Sequence, residues 1–183
     1  MNLSDLHIDK SWTLFLDRDG VINKKIDNDY IRNLKMFEWI EGSKDAILFL
    51  SNIFGKIIVV TNQQGIGKKI MTENDLKAIH VYMKTEIEKS GGRIDAIYFS
   101  PHLKEKNNPM RKPGTGMLLK AKQDYPEIDF KKSIMVGDSV SDMEMADRLR
   151  LSKVWVGENK SSYINANLFC KSLFDFSKSI NKI

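Results

Sequence analysis

Trp12-Thr13-Leu14-Phe15-Leu16-Asp17-Arg18-Asp19-Gly20 is an apolar run that stops abruptly in three charged residues and a glycine. The first five residues read as a buried strand, and Gly20 permits a sharp turn after the charged step. Lys56-Ile57-Ile58-Val59-Val60-Thr61 repeats the design: a nearly continuous apolar strand, of the kind buried on both faces, runs into polar Asn62-Gln63-Gln64. Ser133 to Val136 is a third run of this type, followed by Gly137-Asp138-Ser139.

Helical patterns separate these strands. Residues from Ser43 to Phe54 place Ala46, Phe49, Leu50 and Ile53 on one face. Thr72 is positioned as an N-cap, with Asp75 three residues on as an acidic variant of the capping box. Leu76, Ile79, Met83 and Ile87 carry that helix to about Lys89, where Gly91-Gly92 stops it. Further strands are expected at Ile94 to Phe99 and Lys153 to Val156, with helices at Gly116 to Asp124 and Asp142 to Leu149. The tail from about Asn167 adds a short strand and a closing helix. Strand–helix alternation of this kind implies an α/β fold whose parallel sheet is covered on both faces. Ligands of such sheets sit beyond the carboxyl ends of the strands. The three polar clusters should therefore gather at one sheet edge.

The 183 residues suit one domain spanning 1–183. Hydrophobic residues make up 42% and charged residues 29%, a water-soluble composition with no run long enough to cross a bilayer. The start lacks a basic region followed by an apolar one, so a cytoplasmic protein is expected rather than a secreted one. Cys170 is the single cysteine, which excludes an internal disulfide and a multi-cysteine zinc site. The net charge of +5 would suit nucleic acid, but the basic residues are scattered and would equally attract small phosphorylated molecules.

Asp17 and Asp19 stand two apart at a strand end, Asp138 follows another strand, and Asp142 lies four further on. Clustered carboxylates repel one another unless a cation intervenes, and a hard ion such as Mg²⁺ is the natural partner beside a phosphate. Each acid alone could be a helix cap or turn residue. Their joint placement, with Thr61 and Lys112, favours an active site.

Phe15 to Asn23 resembles the first signature of the haloacid-dehalogenase superfamily. Val59-Val60-Thr61-Asn62-Gln63 is similar to its second, Arg111-Lys112-Pro113 to its third, and Val136 to Asp142 to its fourth, in the family's order. The resemblance implies a Rossmann-like three-layer α/β/α sandwich with a central parallel sheet. The short spacing between the first two signatures implies a capless member with an open site. It makes Asp17 the nucleophile, Asp19 the acid and base, and Thr61 and Lys112 the phosphoryl ligands. It assigns Mg²⁺ to Asp17, Asp138 and the backbone carbonyl of Asp19, and leaves Asp142 as either a metal-shell residue or an orienter of Lys112. Within the superfamily the chain is most similar to capless D-glycero-D-manno-heptose 1,7-bisphosphate phosphatases and the related histidinol-phosphate phosphatases. On that likeness Arg18, Asp27, Asn28, Asp29, Tyr30, Asn62, Gln63, Gln64, Arg111 and Lys112 are expected to contact substrate.

Those relatives usually hold a structural zinc by three cysteines and a histidine. The matching positions here are Ser100, His102, Asn108 and Met110, so no structural zinc is expected. The implied substrate is a small phosphorylated metabolite, a sugar bisphosphate above all, handled by a monomer with neither membrane nor nucleic acid as partner. A polynucleotide 3′-phosphatase shares the chemistry and resembles Gly65-Ile66-Gly67-Lys68 and the third signature, but no basic stripe interleaved with aromatics is visible to track a strand. A phosphate-binding protein without catalysis is disfavoured by the full set of Asp17, Asp19, Thr61, Lys112 and Asp138.

Overall fold

The computed structural model describes residues 7–27, 29–158 and 165–180. Six strands form one parallel sheet: β1 (Thr13–Leu16), β2 (Lys56–Asn62), β3 (Ala96–Ser100), β4 (Ser133–Gly137), β5 (Ser152–Val156) and β6 (Leu168–Cys170). Their spatial order is β3-β2-β1-β4-β5-β6, with β1 paired to β2 on one side and β4 on the other. The chain thus builds outward from β1 to one edge, then returns to the opposite side through β4. That reversal sets the ends of β1, β2 and β4 side by side, and a ligand crevice opens at such a switch point.

Alternation along the central strands explains the layers. Leu14 and Leu16 of β1, Ile57 and Val59 of β2, and Ile134 and Val136 of β4 share one core with α1 (Ser43–Ile53), α3 (Glu73–Lys89) and α6 (Leu173–Ile180). Phe15, Ile58, Val60 and Met135 point the other way, onto α4 (Gly116–Asp124) and α5 (Val140–Leu149). Successive side chains on a strand face opposite ways, so uninterrupted apolar runs are what a sheet covered on both faces needs.

The expected elements are found with small shifts. Thr72 and Asp75 close a reciprocal capping box at the start of α3. α5 begins at Val140, two residues before the expected start, because Ser139 caps it and Asp142 is its third residue. β2 runs on to Asn62, and a four-residue helix, α2 (Gln64–Gly67), follows it where only a polar loop was legible. Between β1 and α1 the described residues hold no more regular structure than a 3-10 turn at Leu34–Met36. No helix among the described residues is long and apolar enough to cross a membrane.

The closing helix α6 lies against α1 with Leu173 and Phe176 fully buried. Phe176→Ala should therefore lower the unfolding free energy by ~3–5 kcal/mol in urea denaturation. A change under about 1 kcal/mol would show that α6 is not part of the cooperative core.

Candidate active site

All three polar clusters meet at the carboxyl edge of the sheet. Asp17 continues β1, its N–H donating to Val136 O at 3.0 Å. Its carboxylate accepts from Lys112 Nζ at 2.9 Å and from the N–H of Arg18 at 2.7 Å. The Lys112 ammonium also forms an ion pair with Asp142 Oδ1 at 2.7 Å and donates to Val60 O at 3.1 Å, so two carboxylates and a carbonyl surround it. Burial would favour loss of the lysine proton, but Asp142 and Asp17 outweigh it and hold Lys112 charged, with its pKa raised.

Lys112 is set in place by its backbone. Asn62 Oδ1 accepts from the Lys112 N–H at 3.0 Å, and Asn62 Nδ2 donates to the Lys112 carbonyl at 3.2 Å. Asp142 turns its two oxygens to different partners: Oδ1 faces the Lys112 ammonium, while Oδ2 accepts from the N–H and hydroxyl of Ser139 at 3.1 and 2.6 Å. The close approach is exacting, since a Cβ on Gly137 would lie 2.4 Å from that of Asp142.

Ligand atoms of Asp17, Asp138 and Asp142 lie within 4.8 Å of one another, the one such acidic group among the described residues. Burial pushes the Asp17 carboxyl up to about 7, with like charge from Asp142 and Asp138 added and Lys112 opposing. Asp138 is also raised, chiefly by burial. Lys112 and Lys25, the latter paired with Asp138, leave the cluster short of positive charge, and the carboxylates offer hard oxygens. That chemistry fits a small divalent cation. Gly20 brings the first loop against the cluster: its φ is +87°, and a Cβ there would stand 2.2 Å from Asp138 Oδ2.

Asp19 sits in a different environment. Burial opposes its ionisation, but Arg18 first, then Asn23 and Gln63, outweigh it and hold the carboxyl below its ordinary value. Arg18 grips both oxygens, Asn23 Nδ2 donates at 2.9 Å and Gln63 Nε2 at 2.8 Å. Gln63 also donates to Thr61 Oγ1 at 2.9 Å, tying the second strand's hydroxyl to the same network.

The structure places the residues expected to contact substrate in several different environments. Arg18 has no exposure and Gln63 only 1%, and both side chains are engaged on Asp19. Asn62 has both ends of its amide engaged on Lys112. Of the loop residues, Tyr30 accepts from Gln64 Nε2 at 2.5 Å and lies 5.2 Å from the Lys68 ammonium, and Asp29 pairs with Arg32 at 2.7 Å. Asp27 lines a shallow cavity beside Asp138 with Lys25, and Asn28 lies outside the described residues. Arg111 donates to His102 O at 3.2 Å and, together with Lys104 and Arg148, lines a groove of about 600 Å³ that Lys112 connects to the nucleophile.

From sequence, Lys25 reads as a solvated loop lysine that could meet a substrate phosphate, and His80 as an exposed or hydrogen-bonded helix residue. Lys25 Nζ lies 2.5 Å from Asp138 Oδ2, a contact 113 residues apart that no local pattern signals. His80 touches Arg18, and its register one turn after Leu76 on the buried stripe of α3 was the available clue.

A carboxylate at the end of the first strand, a second two residues on, a buried lysine and an acidic cluster on a six-stranded parallel sheet are the features of a phosphatase of the haloacid-dehalogenase type. Residues 14–172 match the family described as polynucleotide kinase 3 phosphatase, and the chain belongs to this haloacid-dehalogenase-like family. A Mycobacterium bovis protein named D-glycero-alpha-D-manno-heptose-1,7-bisphosphate 7-phosphatase is 41% identical over 135 residues, 74% of this chain and 71% of its own. A Photorhabdus laumondii protein named for the beta anomer is 34% identical over 182 residues, covering 93% and 95%. The crystal structure of D,D-heptose 1,7-bisphosphate phosphatase from B. bronchiseptica, complexed with magnesium and phosphate, superposes with a TM-score of 0.85 at 25% identity, covering 93% of this chain and 98% of that one.

Lys112→Met should strand the buried carboxylates of Asp17 and Asp142 and destabilise the protein by ~3–5 kcal/mol. Adding Asp142→Asn should recover part of that stability in chemical denaturation without recovering turnover. Full stability of the single variant would show that the buried pair is not what holds these segments together.

Proposed function

We propose that this phosphatase removes the C7 phosphate of a D-glycero-D-manno-heptose 1,7-bisphosphate through an aspartyl-phosphate on Asp17. The observation that carries the chemistry is the difference between its two carboxylates. Asp17 faces Lys112 and the acidic cluster, where a phosphoryl group would be neutralised, whereas Asp19 is clamped two residues away by five donated hydrogen bonds. Paired groups in unlike environments suit nucleophilic and proton-transfer roles respectively.

Asp17 attacks phosphorus, and the bond to the leaving oxygen breaks as Asp19 supplies that oxygen with a proton. Water then attacks the phosphorus as Asp19 takes its proton; the Asp17–phosphorus bond breaks, and the proton leaves Asp19 with the departing phosphate, restoring both carboxylates. Because Arg18 favours the ionised form of Asp19, the proton for the first step is best carried in by the ester itself, whose second ionisation lies near pH ~6. Lys112 holds the nucleophile in place and offsets charge on the phosphoryl oxygens, with Thr61 donating beside it. Asp17, Asp138 and the Asp19 carbonyl would hold Mg²⁺, which when bound offsets further charge on the transferred group.

The substrate assignment is supported by the named relatives and by the groove next to Lys112. Lys104, Arg111 and Arg148 line it without any carboxylate, which suits the second phosphate of a small bisphosphate. No aromatic side chain lines it, which weighs against a nucleic-acid strand needing stacking platforms.

The test is phosphate release in Mg²⁺ from a panel containing both heptose 1,7-bisphosphate anomers, histidinol phosphate and an oligonucleotide bearing a 3′-phosphate. A heptose bisphosphate should exceed a generic ester in kcat/KM by about 100-fold, and Arg111→Ala should erase most of that margin. Equal rates across the panel would overturn the substrate, and turnover by Asp17→Asn would overturn the mechanism.

A further inference from the structure

Arg18 heads the fully buried side chains of the described residues by volume. A guanidinium is a flat fork, and each edge of this one has a partner. Nε and Nη2 donate to Asp19 Oδ1 at 3.1 and 2.8 Å, and Nη2 donates to Oδ2 at 2.9 Å. On the far side, Nη1 lies 3.2 Å from His80 Nε2. His80 comes from the middle of α3, and its ring packs edge-on to Phe99 of β3, with centroids 6.2 Å apart.

Burial, with Arg18 opposite, pushes the His80 imidazole down to about 3. The ring is therefore neutral, and with its proton on Nδ1 it offers Nε2 as an acceptor to Arg18. Among the described residues, no other hydrogen bond restrains the far edge of the guanidinium. A helix on one face of the sheet thereby reaches, through one side chain, the carboxylate of the first loop.

We infer that His80 is a positioning residue for the proton-transfer step: by anchoring Arg18, it fixes the orientation in which Asp19 meets the leaving oxygen. This rests on the reading of Asp19 as the acid and base. Proton donors lose rate steeply when displaced by a fraction of an ångström, so an arginine free to swing would be felt at Asp19 although His80 itself touches no substrate.

A purely structural histidine would make a different prediction from a positioning one, because only the latter discriminates between leaving groups. Single-turnover P–O cleavage is compared for p-nitrophenyl phosphate, whose leaving group needs no proton, and for an alkyl phosphate, whose leaving group does. His80→Leu keeps an apolar contact with Phe99 but removes the acceptor, and His80→Gln restores an acceptor. The Leu variant should cleave the alkyl ester about 10-fold more slowly with KM unchanged, while nitrophenyl cleavage keeps its wild-type rate and the Gln variant regains most of the loss. A fall of the same size on both esters, or no fall on either, would overturn the inference. Asp19→Asn is run alongside. If it fails to discriminate between the esters, the acid role of Asp19 falls and His80's role with it. If it discriminates and His80→Leu does not, only the positioning role falls.

Discussion

A single buried ammonium holds the catalytic edge of this protein together. Lys112 arrives on a loop between β3 and α4, yet its ammonium meets three other segments: it pairs with Asp17 after β1 and Asp142 in α5 and donates to Val60 O in β2. Burying one lysine with two carboxylates has a large desolvation cost, and replacing the set with apolar residues of the same volume could be as stable. Its value is therefore in what the arrangement holds ready. The sheet order places β1 between β2 and β4, so the segments to be joined are already adjacent when Lys112 reaches them.

The remainder of the site follows from the unequal treatment of charge. Around Asp17, burial and like charge create a deficit of positive potential that a cation and a phosphoryl group would share. Around Asp19, a buried arginine and two amides leave no such deficit. The two carboxylates are separated by one residue, and the turn that divides their environments depends on Gly20 in a left-handed conformation against Asp138. An alanine there would meet the carboxylate at 2.2 Å, so backbone geometry and acidic cluster are one construction.

The apolar runs at Thr13–Leu16, Lys56–Asn62 and Ser133–Gly137 made the sheet legible, since strands covered on both faces need side chains that tolerate either one. The polar residues after each run marked the catalytic edge for the same reason: ligands of a parallel sheet lie beyond its strand ends. What sequence could not give was the direction of individual polar side chains. Arg18, Asn62 and Gln63 occupy the right segments but turn inward to Asp19, Lys112 and Thr61, because a residue's partners across the sheet decide its orientation. Lys25 reaches Asp138 through a loop without periodicity, and although His80 reads as an exposed or hydrogen-bonded helix residue, nothing local marks Arg18 as its partner.

The most direct measurement is to trap the covalent intermediate. Asp19→Asn enzyme mixed with p-nitrophenyl phosphate and Mg²⁺ forms the intermediate without needing a leaving-group proton, and lacks the base that would break it down. Acid quenching within milliseconds, digestion and mass spectrometry should find phosphate on the peptide carrying Asp17, in stoichiometric yield. Nitrophenol released with no phosphorylated peptide, or with phosphate on another residue, would contradict the assignment of Asp17 as nucleophile.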